Sequence, residues 1–113
     1  MNHKITNLVS GAKAGTTTFA DVIGFIEGQY THQPTAFKNG SAYNEATQNQ
    51  GSAKVLGFAK LNNLSADDTL LLFAEHYRAV LATPDAADHQ NIRQFMANGW
   101  GGVVFEGTSL IAK

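Results

Sequence analysis

Ser65 and Asp68, followed by Leu70, Phe73, Ala74, Tyr77, Val80 and Leu81, constrain the fold more than any other stretch of this chain. The hydroxyl and the carboxylate can cap each other's orphan amides, and apolar residues at i, i+3, i+4 and i+7 give one face that must lie against a core. Thr83-Pro84 ends this helix, because the residue before proline is pushed out of the α region. Other apolar faces are needed to cover it. Thr18 with Asp21 reads as a second capping box, ahead of the stripe Phe19, Val22, Ile23, Ile26 and Tyr30, with Gly28 as the stop. Ser52 is placed to cap a helix carrying Val55, Leu56, Phe58, Ala59 and Leu61, stopped by Asn62-Asn63. Asp88 is placed to cap a last helix with Ile92, Phe95 and Met96 inward, closed by Gly99 with Trp100 folding back over it. Ile5, Leu8, Val9 and Ala12 suggest a short opening helix that ends near Gly15.

Strand signals are fewer. Thr35 to Phe37 are strand-compatible, and Asn39-Gly40 is the dipeptide best suited to a type I′ hairpin turn, so a hairpin is expected over 35–44. Val103-Val104-Phe105 reads as a strand, and the hairpin is its obvious partner. The expected class is α+β, with about five helices packed around a small antiparallel sheet made from the 35–44 hairpin and a C-terminal strand near 102–106. Asn44 to Ser52 has no apolar period and is rich in amide and hydroxyl groups, which marks a loop. The 113 residues fit a single domain, 1–113, with the first few residues and about the last half-dozen expected to fray.

Composition removes several function classes. There is no cysteine, so disulfides, thiolate metal sites and cysteine nucleophiles are excluded, and a reducing compartment suits the chain. The net charge is −1 and the eight Lys and Arg are scattered singly, which disfavours nucleic acid as a partner. No apolar run approaches the ~20 residues that span a bilayer, and Asn2-His3-Lys4 opens no signal peptide, so neither a membrane nor a secretory route is expected.

The phrases Thr35-Ala-Phe-Lys-Asn-Gly40, Asn44-Glu-Ala-Thr-Gln-Asn-Gln-Gly-Ser52, Tyr77-Arg-Ala-Val-Leu-Ala-Thr-Pro-Asp85, Asp88-His-Gln-Asn-Ile-Arg-Gln-Phe-Met96 and Gly99-Trp-Gly-Gly-Val-Val-Phe-Glu-Gly107 carry a family likeness. From Thr18 to Gly107 the chain resembles the HopJ type III effectors. The resemblance implies a bacterial protein, resident in the cytoplasm or exported into host cells by a type III route, although the apolar period begins at Ile5 with no long polar secretion segment ahead of it. It implies no catalytic residues. Where relatives are expected to read Gly-Ser-Cys-Lys, this chain has Gly51-Ser52-Ala53-Lys54, so no thiol acts there.

Two places concentrate polar chemistry. The Asn44–Ser52 loop runs into a helix N-terminus, where free amides and the helix dipole favour an anion; Asn44, Asn49, Ser52 and Lys54 are the candidate ligand-binding residues, with Glu45 alongside. The plain alternative is a loop whose amides satisfy its own backbone. His89 and Arg93 share a helix face just after Asp85 and Asp88, which suits a general base and an anion clamp, or simply a helix start. Glu75 and His76 are adjacent and diverge by about 100° around the helix axis, so they form no pair. No metal motif occurs, and neither a metal nor a cofactor is expected. Trp100 is either a core plug or a stacking platform for a ligand. Together these features describe a small binding or interaction domain with a polar cleft for a small anionic ligand or a protein partner. The alternative is a small hydrolase using acid/base or metal-assisted chemistry, with Glu45 or His89 as base and Arg93 as clamp.

Overall fold

The computed structural model describes residues 3–113, and Met1 and Asn2, part of the stretch expected to fray, lie outside the described residues. The chain runs α1 (His3–Ala14), α2 (Phe19–Gln29), β1 (Tyr30–His32), β2 (Phe37–Asn39), β3 (Ala42–Asn44), α3 (Gln50–Leu61), α4 (Ala66–Leu71), α5 (Glu75–Ala82), α6 (Gln90–Asn98), a 3-10 turn (Gly99–Gly102), β4 (Val103–Phe105) and β5 (Leu110–Ala112). The architecture is α+β, as expected, with six α-helices among the described residues rather than about five.

α3 is the central helix. Val55, Leu56, Gly57, Phe58 and Ala59 are buried in succession, so it is covered on all sides, by Val22 and Ile26 of α2 and by Leu70, Leu72 and Phe73 around α4 among others. Full burial of side chains such as Leu56 and Phe58 contributes roughly 1.5–3 kcal/mol each. The hairpin strands β2 and β3 pair antiparallel, and β4 joins on the other edge of β2 with Phe37 opposite Phe105, which gives the order β3-β2-β4.

The start of α2 is the expected capping box: Asp21 donates its amide to Thr18 Oγ1 (3.2 Å), and the Thr18 amide donates to Asp21 Oδ2 (3.0 Å). That second bond is the main reason the Asp21 carboxyl sits below its ordinary pKa. Ser65 likewise accepts from the Asp68 amide (3.1 Å) at the start of α4.

Several expectations are corrected. The single helix from Ser65 to Leu81 is broken into α4 and α5, because Leu72, Phe73 and Ala74 donate to carbonyls only three residues back and Ala74 then adopts φ 54, ψ −123. Thr69, fully buried, donates its hydroxyl to the Ser65 carbonyl (2.7 Å), a back-bond that bends a helix. α3 begins before Ser52: Asn49 takes the left-handed conformation at its start, its side chain tied to Asn44. Asp88 does not cap α6, since Arg93 holds its carboxylate, and His89 at φ 51 enters the helix instead.

The hairpin turns on Gly40-Ser41 with positive φ only at Gly40, the II′ pattern, because Asn39 is the last paired residue of β2, opposite Ala42, and so stands outside the turn. Gly28 does not stop α2, which runs to Gln29 and straight into β1. The C-terminal residues do not fray: β5 pairs antiparallel with β1, Gln33 donates to the Ser109 carbonyl (2.8 Å), and Leu110 is buried. At the other end of α6, Gly99 has φ 61 and Trp100 packs edge-on against Phe95 with ring centroids 5.0 Å apart, as the sequence suggests.

Candidate functional site

A cleft of about 550 Å³ opens between the β3–α3 loop and the start of α6. One side is formed by Asn44, Gln48, Asn49, Gly51 and Ser52, the other by His89, Gln90, Asn91 and Ile92, and Phe19, Phe73 and His76 connect them. Ala42 and Tyr43 complete it from β3. No Asp, Glu, Lys or Arg lines it, so its charge chemistry rests on two imidazoles and on backbone dipoles.

Four side-chain amides fasten the two sides together. Asn44 Nδ2 donates to Asn91 Oδ1 (3.1 Å) while Asn91 Nδ2 donates to Asn44 Oδ1 (3.0 Å), a reciprocal pair. Asn39 Nδ2 adds bonds to the Asn91 carbonyl (2.7 Å) and Asn91 Oδ1 (3.1 Å), and Asn49 Nδ2 donates to Asn44 Oδ1 (2.7 Å). Asn39, Asn44 and Asn91 are buried, so these bonds operate away from water, where an unmade partner is most costly.

The helix starts are of two kinds. α2 and α4 enter through extended residues whose hydroxyls cap them. α3, α5 and α6 enter through Asn49 (φ 50), Ala74 (φ 54) and His89 (φ 51), and none of these side chains makes a cap bond. Only one other non-glycine among the described residues, Asn63, has positive φ. Asn49 and His89 line the cleft, and Ala74 lies between Phe73 and His76, which also line it. The amides of Gln50, Gly51 and Ser52 in α3 and of Gln90 and Asn91 in α6 find no acceptor among the described residues. The α5 start is used internally: the His76 amide donates to the Phe73 carbonyl (3.1 Å).

The two histidines meet with ring centroids 5.2 Å apart and planes at 36°. Asp88 Oδ2 lies 3.9 Å from His89 Nε2, beyond a hydrogen bond, while its Oδ1 accepts from Arg93 Nη2 (2.7 Å), the main cause of a carboxyl pKa below the ordinary value. Glu75 accepts the Phe19 amide (2.7 Å), the main cause of its lowered carboxyl pKa. No group of three or more His, Cys, Asp or Glu among the described residues is arranged to hold a metal.

Of the residues singled out in the sequence, Asn44, Asn49, Ser52 and His89 lie on the cleft, while Glu45, Lys54, Arg93 and Trp100 do not. Lys54 pairs with Glu27 (3.0 Å), which is why the Glu27 carboxyl also sits low. Arg93 ties down the loop before α6, donating to the Thr83 carbonyl (2.8 Å), the Pro84 carbonyl (3.3 Å) and the Asp88 carbonyl. Trp100 donates its indole N–H to the Leu64 carbonyl (3.0 Å). The hydrolase alternative finds no support in this geometry: its base Glu45 and clamp Arg93 are elsewhere, and His89 has no carboxylate at hydrogen-bond distance to orient it. Asn91 and Phe19 are site residues that sequence reasoning missed, and nothing in the sequence marked them. His76 falls off the apolar stripe of its helix, which suits a surface or cleft residue, and Gln48 belongs to the amide-rich 44–52 loop.

Fold and site define a small α+β domain organised around one polar, carboxylate-free cleft. The family model described as HopJ type III effector protein matches residues 2–110, and the chain belongs to that family. It is similar to the crystal structure of the protein of unknown function VPA0580, with a TM-score of 0.89 and 38% sequence identity over 100% of this chain and 95% of that one. No curated protein sequence matches the chain. No helix among the described residues is long and apolar enough to cross a membrane.

Proposed function

We propose that the chain is a binding domain whose cleft takes a small anionic ligand. The observation that carries this reading is the meeting of His76 and His89 with the uncapped starts of α3 and α6 on one cleft that no acidic side chain lines. A helix N-terminus presents unpaired N–H groups and a partial positive charge of about half an elementary unit, and both favour an oxyanion. Each imidazole can add an N–H donor to an oxyanion. Family membership supports type III export as the route by which this binding function would reach a recipient cell.

The test is an amide-resolved NMR titration with inorganic phosphate, with magnesium chloride as the cation control. Saturable shifts centred on Gly51, Ser52, Gln90 and Asn91, reduced in the double variant His76→Gln/His89→Gln, are expected. If phosphate moves those amides no more than magnesium chloride does, the anion reading is wrong, and a protein partner becomes the occupant to seek.

A further inference from the structure

The rings beside the cleft form a row. Phe73, buried, stacks on Phe19 with centroids 6.2 Å apart and planes at 14°. Phe19 meets His76 edge-on at 4.8 Å, and His76 meets His89 at 5.2 Å. The row climbs from the core at Phe73, through half-buried Phe19 and His76, to His89, whose side chain is 34% exposed. It also joins the two amide-bearing sides: a Cβ built on Gly51 would stand 3.4 Å from Phe19 Cζ, so the start of α3 touches the Phe19 ring, and His89 is itself the first residue of the opposite side. Neither histidine ring makes a hydrogen bond within the chain among the described residues; Asp88, 3.9 Å from His89, is already held by Arg93, and Glu75 beside His76 is held by the Phe19 amide.

We infer that the cleft is selective for an aromatic oxyanion, an aryl phosphate or aryl carboxylate whose ring lies along Phe19 and His76. The inference rests on the anion reading above and adds the chemistry of the rest of the ligand. Because the Phe19 ring is in van der Waals range of Gly51, a ligand whose oxyanion reaches the Gly51 and Ser52 amides can lay its ring against Phe19 when ring and oxyanion are adjoining groups. Aromatic rings in offset or edge contact gain energy beyond the area they bury, which a saturated ring of equal size does not. A ligand with a long spacer between ring and anion would forfeit one contact or the other.

Phenyl phosphate, cyclohexyl phosphate and inorganic phosphate are compared by calorimetry on the intact chain and on Phe19→Leu and His76→Gln. Phenyl phosphate is expected to bind about tenfold tighter than either of the others, with its ring protons shifted upfield and showing contacts to Phe19 and His76. Phe19→Leu should remove that advantage, so that phenyl and cyclohexyl phosphate bind this variant equally, and the thermal melt of each variant checks that it is folded. Equal affinity for phenyl and cyclohexyl phosphate overturns the aromatic inference, as does equal affinity for all three, and in both cases the anion reading stands. If none of the three binds, the anion reading falls and the inference with it.

Discussion

Ala74 gives the sharpest quantitative test of the site's construction. It is 2% exposed and holds φ 54, ψ −123, a backbone conformation that L-residues rarely adopt and glycine reaches freely. Holding a non-glycine residue there costs on the order of 1–3 kcal/mol. Ala74→Gly would relieve that cost, while losing a buried methyl worth about 0.8 kcal/mol and paying about 0.5–1 kcal/mol in unfolded-state entropy. The net change in one variant is therefore small and hard to interpret.

A matched control isolates the strain. Ala59 is fully buried in the middle of α3, and Ala59→Gly pays the same methyl and entropy costs with no strain to relieve, about 2 kcal/mol in total. The expected result by urea unfolding is a difference of about 1–3 kcal/mol between the variants, with Ala74→Gly the more stable. Equal losses in the two would show that Ala74 stores nothing. Since glycine reaches the same conformation freely, His76 keeps its place on the cleft, and phosphate affinity should be unchanged in Ala74→Gly.

The remaining predictions concern the supports of the cleft and the C-terminal strand. Asn91→Ala strips Asn44 of its reciprocal partner in a buried setting and should cost about 2–4 kcal/mol in chemical unfolding; a loss below about 1 kcal/mol would mean that water replaces the amide. Arg93→Ala should cost about 2 kcal/mol through the freed 83–88 loop and leave phosphate affinity unaltered, so a loss of affinity at unchanged stability would restore Arg93 as a ligand contact. His32, on β1 with Nδ1 3.2 Å from the Ser109 carbonyl, has its pKa lowered by burial first and then by Lys54. The folded state then binds fewer protons than the unfolded one, so stability is present above the unfolded value of about 6.5 and is lost as pH falls through it toward the lowered folded value. The urea midpoint should therefore drop between about pH 7 and pH 5, and His32→Gln should flatten that drop; the same slope in both proteins would refute the assignment. Asp21, Glu27, Glu75 and Asp88, all shifted down from ordinary carboxylate values, act at lower pH and leave this window clear.

The helical core was largely legible because periodicity reports burial: Val22 and Ile26, Val55, Leu56, Phe58 and Ala59, and Ile92 with Phe95 are inside as their spacing requires, whereas Leu61, Leu81 and Met96, near the ends of their stripes, are exposed. The sheet of the hairpin and β4 was legible for the same reason together with Gly40. Pairings at long range were not. β5 is a three-residue strand whose partner lies some eighty positions earlier, and nothing in Leu110-Ile111-Ala112 alone specifies Tyr30–His32. The helix break at Ala74 was hidden because alanine is the strongest helix former and its apolar spacing continues through the break. At the site, Asn49 was readable because it lies in a polar loop with no apolar period, whereas Asn91 was not, since a buried amide and a surface amide look alike in sequence.

Caps divide the helix starts into two groups. Thr18 and Ser65 cap α2 and α4 with hydroxyls, the ordinary device for stabilising a helix start. Such a cap contributes about 1 kcal/mol, and omitting it at α3 and α6 gives that up at each start. A Ser or Asp at position 49 or 89 with extended backbone would restore the stability, but its oxygen would occupy the amide that now opens to the cleft. The reciprocal Asn44–Asn91 bonds then have a clear task, since they hold two uncapped helix starts at a fixed separation across the cleft. Capping either start by design should therefore raise the melting temperature and abolish phosphate binding together. A capped variant that gained stability and kept full affinity would show that these amides serve no ligand.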